Sequence, residues 1–176
     1  MPLSGNTSKG CGNRRGNCPL TNVERTTQSS RNRCYARILV GYDGSENSKR
    51  ALRKAIELAK VLDSEVRLVT VEDTIGYVPS LAGMVYPPNL RQSLLEQGNA
   101  LLKEAMNLAK EAGITNVSGS VKEGSSADMI LASASDYKAD LIVLGRRGIR
   151  GIERFLMGSV SSAVVSHSGC DVLVVK

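Results

Sequence analysis

Leu141-Ile142-Val143-Leu144-Gly145-Arg146-Arg147-Gly148-Ile149-Arg150-Gly151-Ile152-Glu153-Arg154-Phe155-Leu156-Met157-Gly158-Ser159-Val160-Ser161-Ser162 is the stretch that decides the fold. It opens on an unbroken apolar run, as a strand buried on both faces of a parallel sheet requires. Gly145 and Gly148 follow, three positions apart. After nine further residues comes Gly158, then Ser159, and a weakly apolar helical pattern begins. Glycines at a strand tip let backbone N–H groups come close to a ligand, and a helix N-terminus adds unpaired N–H groups and a positive dipole. The combination suits a polyphosphate, with Ser159 and Ser161 as hydroxyl donors toward phosphate or a bound metal.

Outward from this stretch, strands and helices alternate. Ile38 to Tyr42 is a short apolar strand, and Asp43-Gly44-Ser45 turns it into a helix with Ser45 as N-cap. Leu52, Ala55, Ile56, Ala59 and Leu62 mark that helix's inner face. Glu65 to Val71 reads as a second strand. A helix from about Leu90 turns Leu94, Leu101, Ala105 and Leu108 inward and stops at Gly113. Val117 to Val121 is a weaker strand, suited to a sheet edge. Gly124-Ser125-Ser126 opens a third helix with Ala127, Ile130, Leu131 and Ala134 on one face. Asp140 begins the fourth strand, Gly158 to His167 is the last helix, and Val172 to Val175 is the last strand.

Four strand–helix repeats closed by a fifth strand predict an α/β, doubly wound, five-stranded parallel sheet with helices on both faces. A ligand in such a sheet sits at the carboxyl ends of the strands, where strand order reverses. Residues 72–89 show no period and hold Gly76, Pro79, Gly83, Pro87 and Pro88, which reads as a mobile flap beside the ligand.

Known phosphate loops do not match. There is no Walker Gly-Lys-Ser/Thr, no tight dinucleotide fingerprint, no Ser-Gly-Gly-x-Asp-Ser and no His-x-Gly-His. Gly-x2-Gly-x9-Gly-Ser, here Gly145, Gly148, Gly158 and Ser159, resembles the signature of the ATP-binding subgroup of the universal stress protein family. The resemblance runs from about Arg37 to Lys176. It includes the opening Arg37-Ile38-Leu39-Val40-Gly41-Tyr42-Asp43-Gly44-Ser45 and the closing Cys170-Asp171-Val172-Leu173-Val174-Val175-Lys176. It implies a Rossmann-like, adenine nucleotide alpha hydrolase-like fold with strand order 3-2-1-4-5, so that the first and fourth strands adjoin at the switch point. It further implies that Gly41 and Asp43 contact adenosine and that Val71 packs on the base. Gly145, Gly148, Gly158, Ser159 and Val160 match the phosphate-contacting positions, with Leu144 as the floor. The expected cofactor is ATP with Mg2+ or Mn2+. Asp43 is also a plausible turn carboxylate on local grounds alone.

Arg146, Arg147, Arg150 and Arg154 crowd the loop, either as solvated charge or as a lure for polyphosphate. His167 lies near a helix end, where a cation meets the dipole favourably; with no serine or cysteine motif it is a poor catalyst.

Composition sets outer bounds. The chain has 176 residues, enough for one domain with a real core, and 41% of them are hydrophobic. Aromatics make up 3%, with no Trp, too few for a base-stacking platform. No apolar run reaches the roughly 20 residues of a membrane helix. The net charge of +6 belongs entirely to residues 1–37, where seven Lys and Arg face Glu24 alone; sixteen groups of each sign remain elsewhere. Residues 1–34, rich in Gly, Asn, Ser, Thr and Arg, are expected to be a disordered leader without a secretory core, ahead of a domain over 35–176. The leader is either solvated or a basic arm for nucleic acid or another polyanion. Cys11, Cys18 and Cys34 fit no zinc spacing, and Cys170 reads as packing.

Three functions remain open. One is a cytoplasmic ATP-binding regulatory module of a stress response. Another is a slow ATP hydrolase or phosphotransferase, although no general base stands beside the glycines. The third is a dimeric scaffold with a vestigial site and a polyanion-binding leader. The regulatory module ranks first. A homodimer through the edge strand Val172, Leu173, Val174 and Val175 is expected, because an uncovered apolar edge invites pairing and the resemblance points to the same strand.

Overall fold

The computed structural model describes residues 34–72, 88–148 and 157–176, apart from the side chains of Pro88 and Leu90. Residues 1–33 of the leader, residues 73–87 of the flap expected over 72–89, and Arg150 and Arg154 lie outside the described residues. The elements are β1 (Arg37–Gly41), α1 (Glu46–Leu62), β2 (Glu65–Glu72), α2 (Pro88–Glu111), β3 (Val117–Glu123), α3 (Ser126–Tyr137), β4 (Leu141–Gly145), α4 (Ser159–His167) and β5 (Asp171–Val175).

All five strands run parallel in the order β3-β2-β1-β4-β5. The order follows from hydrophobicity. Ile38, Leu39 and Val40 of β1 are fully buried, and Leu141 to Leu144 of β4 are buried as well, so these two take the centre. β3 is interrupted by Ser118, Gly119 and Ser120 and lies at one edge; β5 lies at the other.

Helices cover both faces. Ile38, Val40, Leu68 and Val143 point to a layer made by α1 and α2, where Leu52, Ala55, Leu102 and Ala105 meet them. Leu39, Val69, Ile142 and Leu144 point the other way, to Ile130 and Ala134 of α3 and Val164 of α4. Alternation along each strand thus feeds two cores.

At the amino end of the sheet, the Arg37 N–H donates to Asp140 Oδ2 at 2.8 Å, and the Asp140 N–H returns a bond to Arg37 O at 2.9 Å. These bonds fix β4 beside β1, and with it the carboxyl ends that hold the site.

One helix face differs from expectation. Leu108 is not inward but 42% exposed, and the buried stripe of α2 is Gly98, Leu102, Ala105 and Ala109. Leu102 sets this phase by lying over Gly119 of β3, where an added Cβ would come within 2.6 Å of its Cδ1. Leu94 and Leu101 are rotated toward the carboxyl end of the sheet, and Leu108, seven positions after Leu101, turns to solvent. β3 also runs two residues further than expected, to Glu123. There the Arg91 guanidinium donates to both carboxylate oxygens, at 2.8 and 2.9 Å.

Candidate functional site

Each helix begins beyond the carboxyl end of a strand, and the helix starts are not alike. At α1 the Ser45 Oγ accepts the Ser48 N–H at 3.2 Å, and the Ser48 hydroxyl donates to Ser45 O at 2.9 Å. That terminus is satisfied by its own chain. At α4 the N-cap is Gly158, which has no side chain to offer, so the amides of Ser159, Val160 and Ser161 open the helix without a side-chain cap. At α3 the N-cap Ser125 makes no side-chain cap bond either. Two uncapped starts therefore flank the β1–β4 switch point.

Between them lies a cavity of about 760 Å3, within the range of small-molecule sites. All ten residues singled out from the sequence line it: Gly41, Asp43, Val71, Leu144, Gly145, Gly148, Gly158, Ser159, Val160 and Ser161.

Their local roles are specific. Asp43 does form the turn that its position suggests, since its Oδ1 accepts the Ser45 N–H at 3.0 Å. Its other oxygen faces Gly148, where an added Cβ would stand 2.6 Å from Oδ2. Gly145 lies against the start of α1, and a Cβ there would meet the Asn47 carbonyl carbon at 2.6 Å and the Ser48 nitrogen at 2.8 Å. Its lack of a side chain is therefore required by packing as well as by access.

Ser161 differs from the role expected of it. It is buried, and its hydroxyl donates to Gly145 O at 2.9 Å, so its proton is committed to the strand tip. The Gly158 N–H donates to Arg146 O at 2.9 Å. Together these bonds join both ends of the glycine loop to the start of α4. Ser159 lines the cavity, and its hydroxyl makes no hydrogen bond to the protein among the described residues.

Charge is unevenly distributed along the cavity. Arg147 lines the glycine end, and its Nε is buried with no hydrogen-bond partner among the described residues. Glu72 lines the far end, at the tip of β2, and burial raises its carboxyl above the usual carboxylate range. Thr70, Glu72, Gln97, Leu101, Ser126 and Ile130 also line the cavity and were not singled out in the sequence. Glu72 opens the stretch over 72–89 that reads as a flap beside the ligand, and Ser126 belongs to the Gly124-Ser125-Ser126 helix start; the others look like ordinary strand and helix residues until the sheet is assembled. Among the described residues no group of three or more His, Cys, Asp or Glu could hold a metal ion. Nor is any helix among them long and apolar enough to cross a membrane.

Against known families, the model of the universal stress protein family matches residues 35–176. The chain belongs to the universal stress protein family. A universal stress protein of Methanocaldococcus jannaschii is 37% identical over 142 residues, which cover 81% of this chain and 82% of that one. UspA from Lactobacillus plantarum superposes with a TM-score of 0.64 at 27% identity, over 81% of this chain and 98% of that one. A universal stress protein solved in complex with cAMP superposes with a TM-score of 0.60 at 30% identity, over 81% and 97%. The two solved relatives share the Rossmann-like α/β fold of this universal stress protein.

Proposed function

We propose that this universal stress protein binds ATP in the cleft between β1 and β4 and acts as a nucleotide-responsive regulatory module in the cytoplasmic stress response. The support is the uncapped first turn of α4, placed in one nucleotide-sized cavity with Arg147, whose buried Nε has no hydrogen-bond partner among the described residues. Backbone amides and a guanidinium on one wall fit a phosphate chain. The cAMP complex of a relative supports a nucleotide as the ligand class.

In this reading the phosphates lie over Gly145, Gly148 and Gly158, with the amides of Ser159 and Val160 as donors. Asp43 and Gly41 border the sugar and base, Val71 packs on the base, and Leu144 forms the floor. A Mg2+ or Mn2+ ion would be carried by the phosphates with the Ser159 hydroxyl nearby, since no carboxylate cluster occurs among the described residues. Ser161 positions the loop. Binding is favoured over hydrolysis because Asp43, the carboxylate nearest the glycines, is engaged by the Ser45 N–H and packed on Gly148. The β5 edge has no further strand beside it among the described residues and would pair with a second copy.

Mass spectrometry of nucleotide released from the purified, denatured protein tests the reading. Recovered ATP supports it, ADP alone points to turnover, and an empty cleft that also fails to take up added ATP refutes it.

A further inference from the structure

The cavity is longer than a phosphate site needs, and its two ends differ in chemistry. The β4–α4 end offers amides and Arg147. The opposite end is formed by the tip of β2 and one side of α2, with Thr70, Glu72, Leu94, Gln97 and Leu101. Leu68 joins the core under α1 and α2, while Val69 and Val71 join the opposite one. Alternation therefore turns Thr70 and Glu72 toward α2.

Two observations set this end apart. Thr70 is only 2% exposed, yet its Oγ1 has no hydrogen-bond partner among the described residues. A buried hydroxyl left unpaired is costly and calls for a partner from elsewhere. The Glu72 carboxylate, for its part, is seated against the backbone of α2 at Gly98, where an added Cβ would stand 2.8 Å from Oε1. Glycine within a helix costs about 1 kcal/mol relative to alanine, and here it gives the carboxylate its place. No hydrogen bond or ion pair to the Glu72 side chain occurs among the described residues, and burial raises its carboxyl.

We propose that Glu72 is a specificity-determining residue that accepts a hydrogen bond from an exocyclic amino group of the nucleobase. It thereby selects adenine over a base carrying a carbonyl at that position. The inference rests on the nucleotide reading of the cleft and adds the feature that discriminates between nucleotides. A carboxylate repels phosphate, so its place opposite Arg147 also fixes the direction of the ligand along the cavity. It accepts from an amino group and opposes a carbonyl oxygen, and bonds to charged acceptors are among the stronger ones.

The test is calorimetric titration of the full chain with ATP, ITP, purine riboside triphosphate and 2′-deoxyATP, for the wild type and for Glu72→Gln. ITP replaces the 6-amino group with a carbonyl and also turns N1 from an acceptor into an N–H donor. Purine riboside triphosphate, which lacks the amino group and keeps N1 an acceptor, isolates the amino contact and should likewise bind at least about tenfold more weakly than ATP. The wild type should bind ATP at least about tenfold tighter than ITP. Glu72→Gln, whose amide can face either group, should bring the two within about threefold of each other, again by affinity arithmetic. Equal wild-type affinities for ATP and ITP would overturn the proposal while leaving the cleft reading intact. So would an undiminished preference in Glu72→Gln, or a preference for ATP over 2′-deoxyATP that vanishes in that variant, which would assign Glu72 to the ribose. Absence of binding to all four nucleotides would refute the cleft reading itself. The wild-type ratio requires no variant to fold.

Discussion

The Asp43 carboxylate and the Gly148 backbone pack directly on each other, leaving 2.6 Å between Oδ2 and the position a Cβ would occupy at 148. The contact joins the end of β1 to the loop after β4 across the switch point. Asp43 is held at the same time by the Ser45 N–H, so the loop rests on a fixed carboxylate rather than a mobile one.

Gly148→Ala should therefore push the loop off Asp43 and weaken ATP binding about tenfold, or about 1.4 kcal/mol. Gly169→Ala is the control, because nothing lies within 4 Å of a Cβ added there. Calorimetry should show loss in the first variant and none in the second. Equal affinities in both would mean that the loop does not depend on this contact.

Ser161→Ala should destabilise the protein. Its hydroxyl is the donor to Gly145 O, and a hydrogen bond of this kind contributes about 1 kcal/mol net. The melting temperature should fall by several degrees, on the order of 2–8 °C, and ATP should bind more weakly because the strand tip at Gly145 loses its tie to α4 while the Gly158 N–H bond to Arg146 O remains. An unchanged melting temperature would show that water replaces the hydroxyl without cost.

Much of this was legible in the sequence because a period of two or of 3.6 survives wherever one surface is buried. The apolar run Leu141–Leu144 and the Ser45 cap read directly. Leu108 did not, because the phase of α2 is set by Leu102 lying over Gly119, a contact between residues seventeen positions apart. The glycine spacing marked one end of the cavity. Thr70, at the other end, continues a strand pattern, and Glu72 reads as the first residue of the flap although it ends β2; both line the cavity only when α2 lies across them. Ser161 was read as a ligand hydroxyl, since the pattern shows which residues stand in the first turn of a helix but not where their protons go.

Alkaline stability should report on Tyr137. Burial, then the nearby Glu65, pushes its hydroxyl up to about 12, against the opposing charge of Arg67, which lies 4.0 Å over the ring. The folded state thus holds the proton more tightly than the unfolded state, whose tyrosine titrates near the usual 10.0. The stabilisation is complete below that value and is lost as pH rises toward about 12. Urea midpoints at pH about 9 and about 11 should fall less in Tyr137→Phe than in the wild type. An identical fall in both would contradict the assignment.

Dimerisation should depend on β5. Leu173→Lys places a charge in the proposed edge, and Val174→Pro removes a donor from it. Light scattering should give twice the chain mass for the wild type and the single mass for either variant. A wild type that is monomeric at micromolar concentration would refute the dimer.

Titration of ATP into the wild type and into Gly158→Val by calorimetry tests the central claim most directly. Gly158 begins α4, and a Cβ there would already lie 3.3 Å from Arg146 O and 3.4 Å from Arg147 Cα. A branched side chain would stand over the amides that are proposed to receive the phosphates. The wild type should bind ATP, and Gly158→Val should bind at least about tenfold more weakly with its circular dichroism unchanged. Equal binding by the two proteins would contradict the placement of the phosphates at α4.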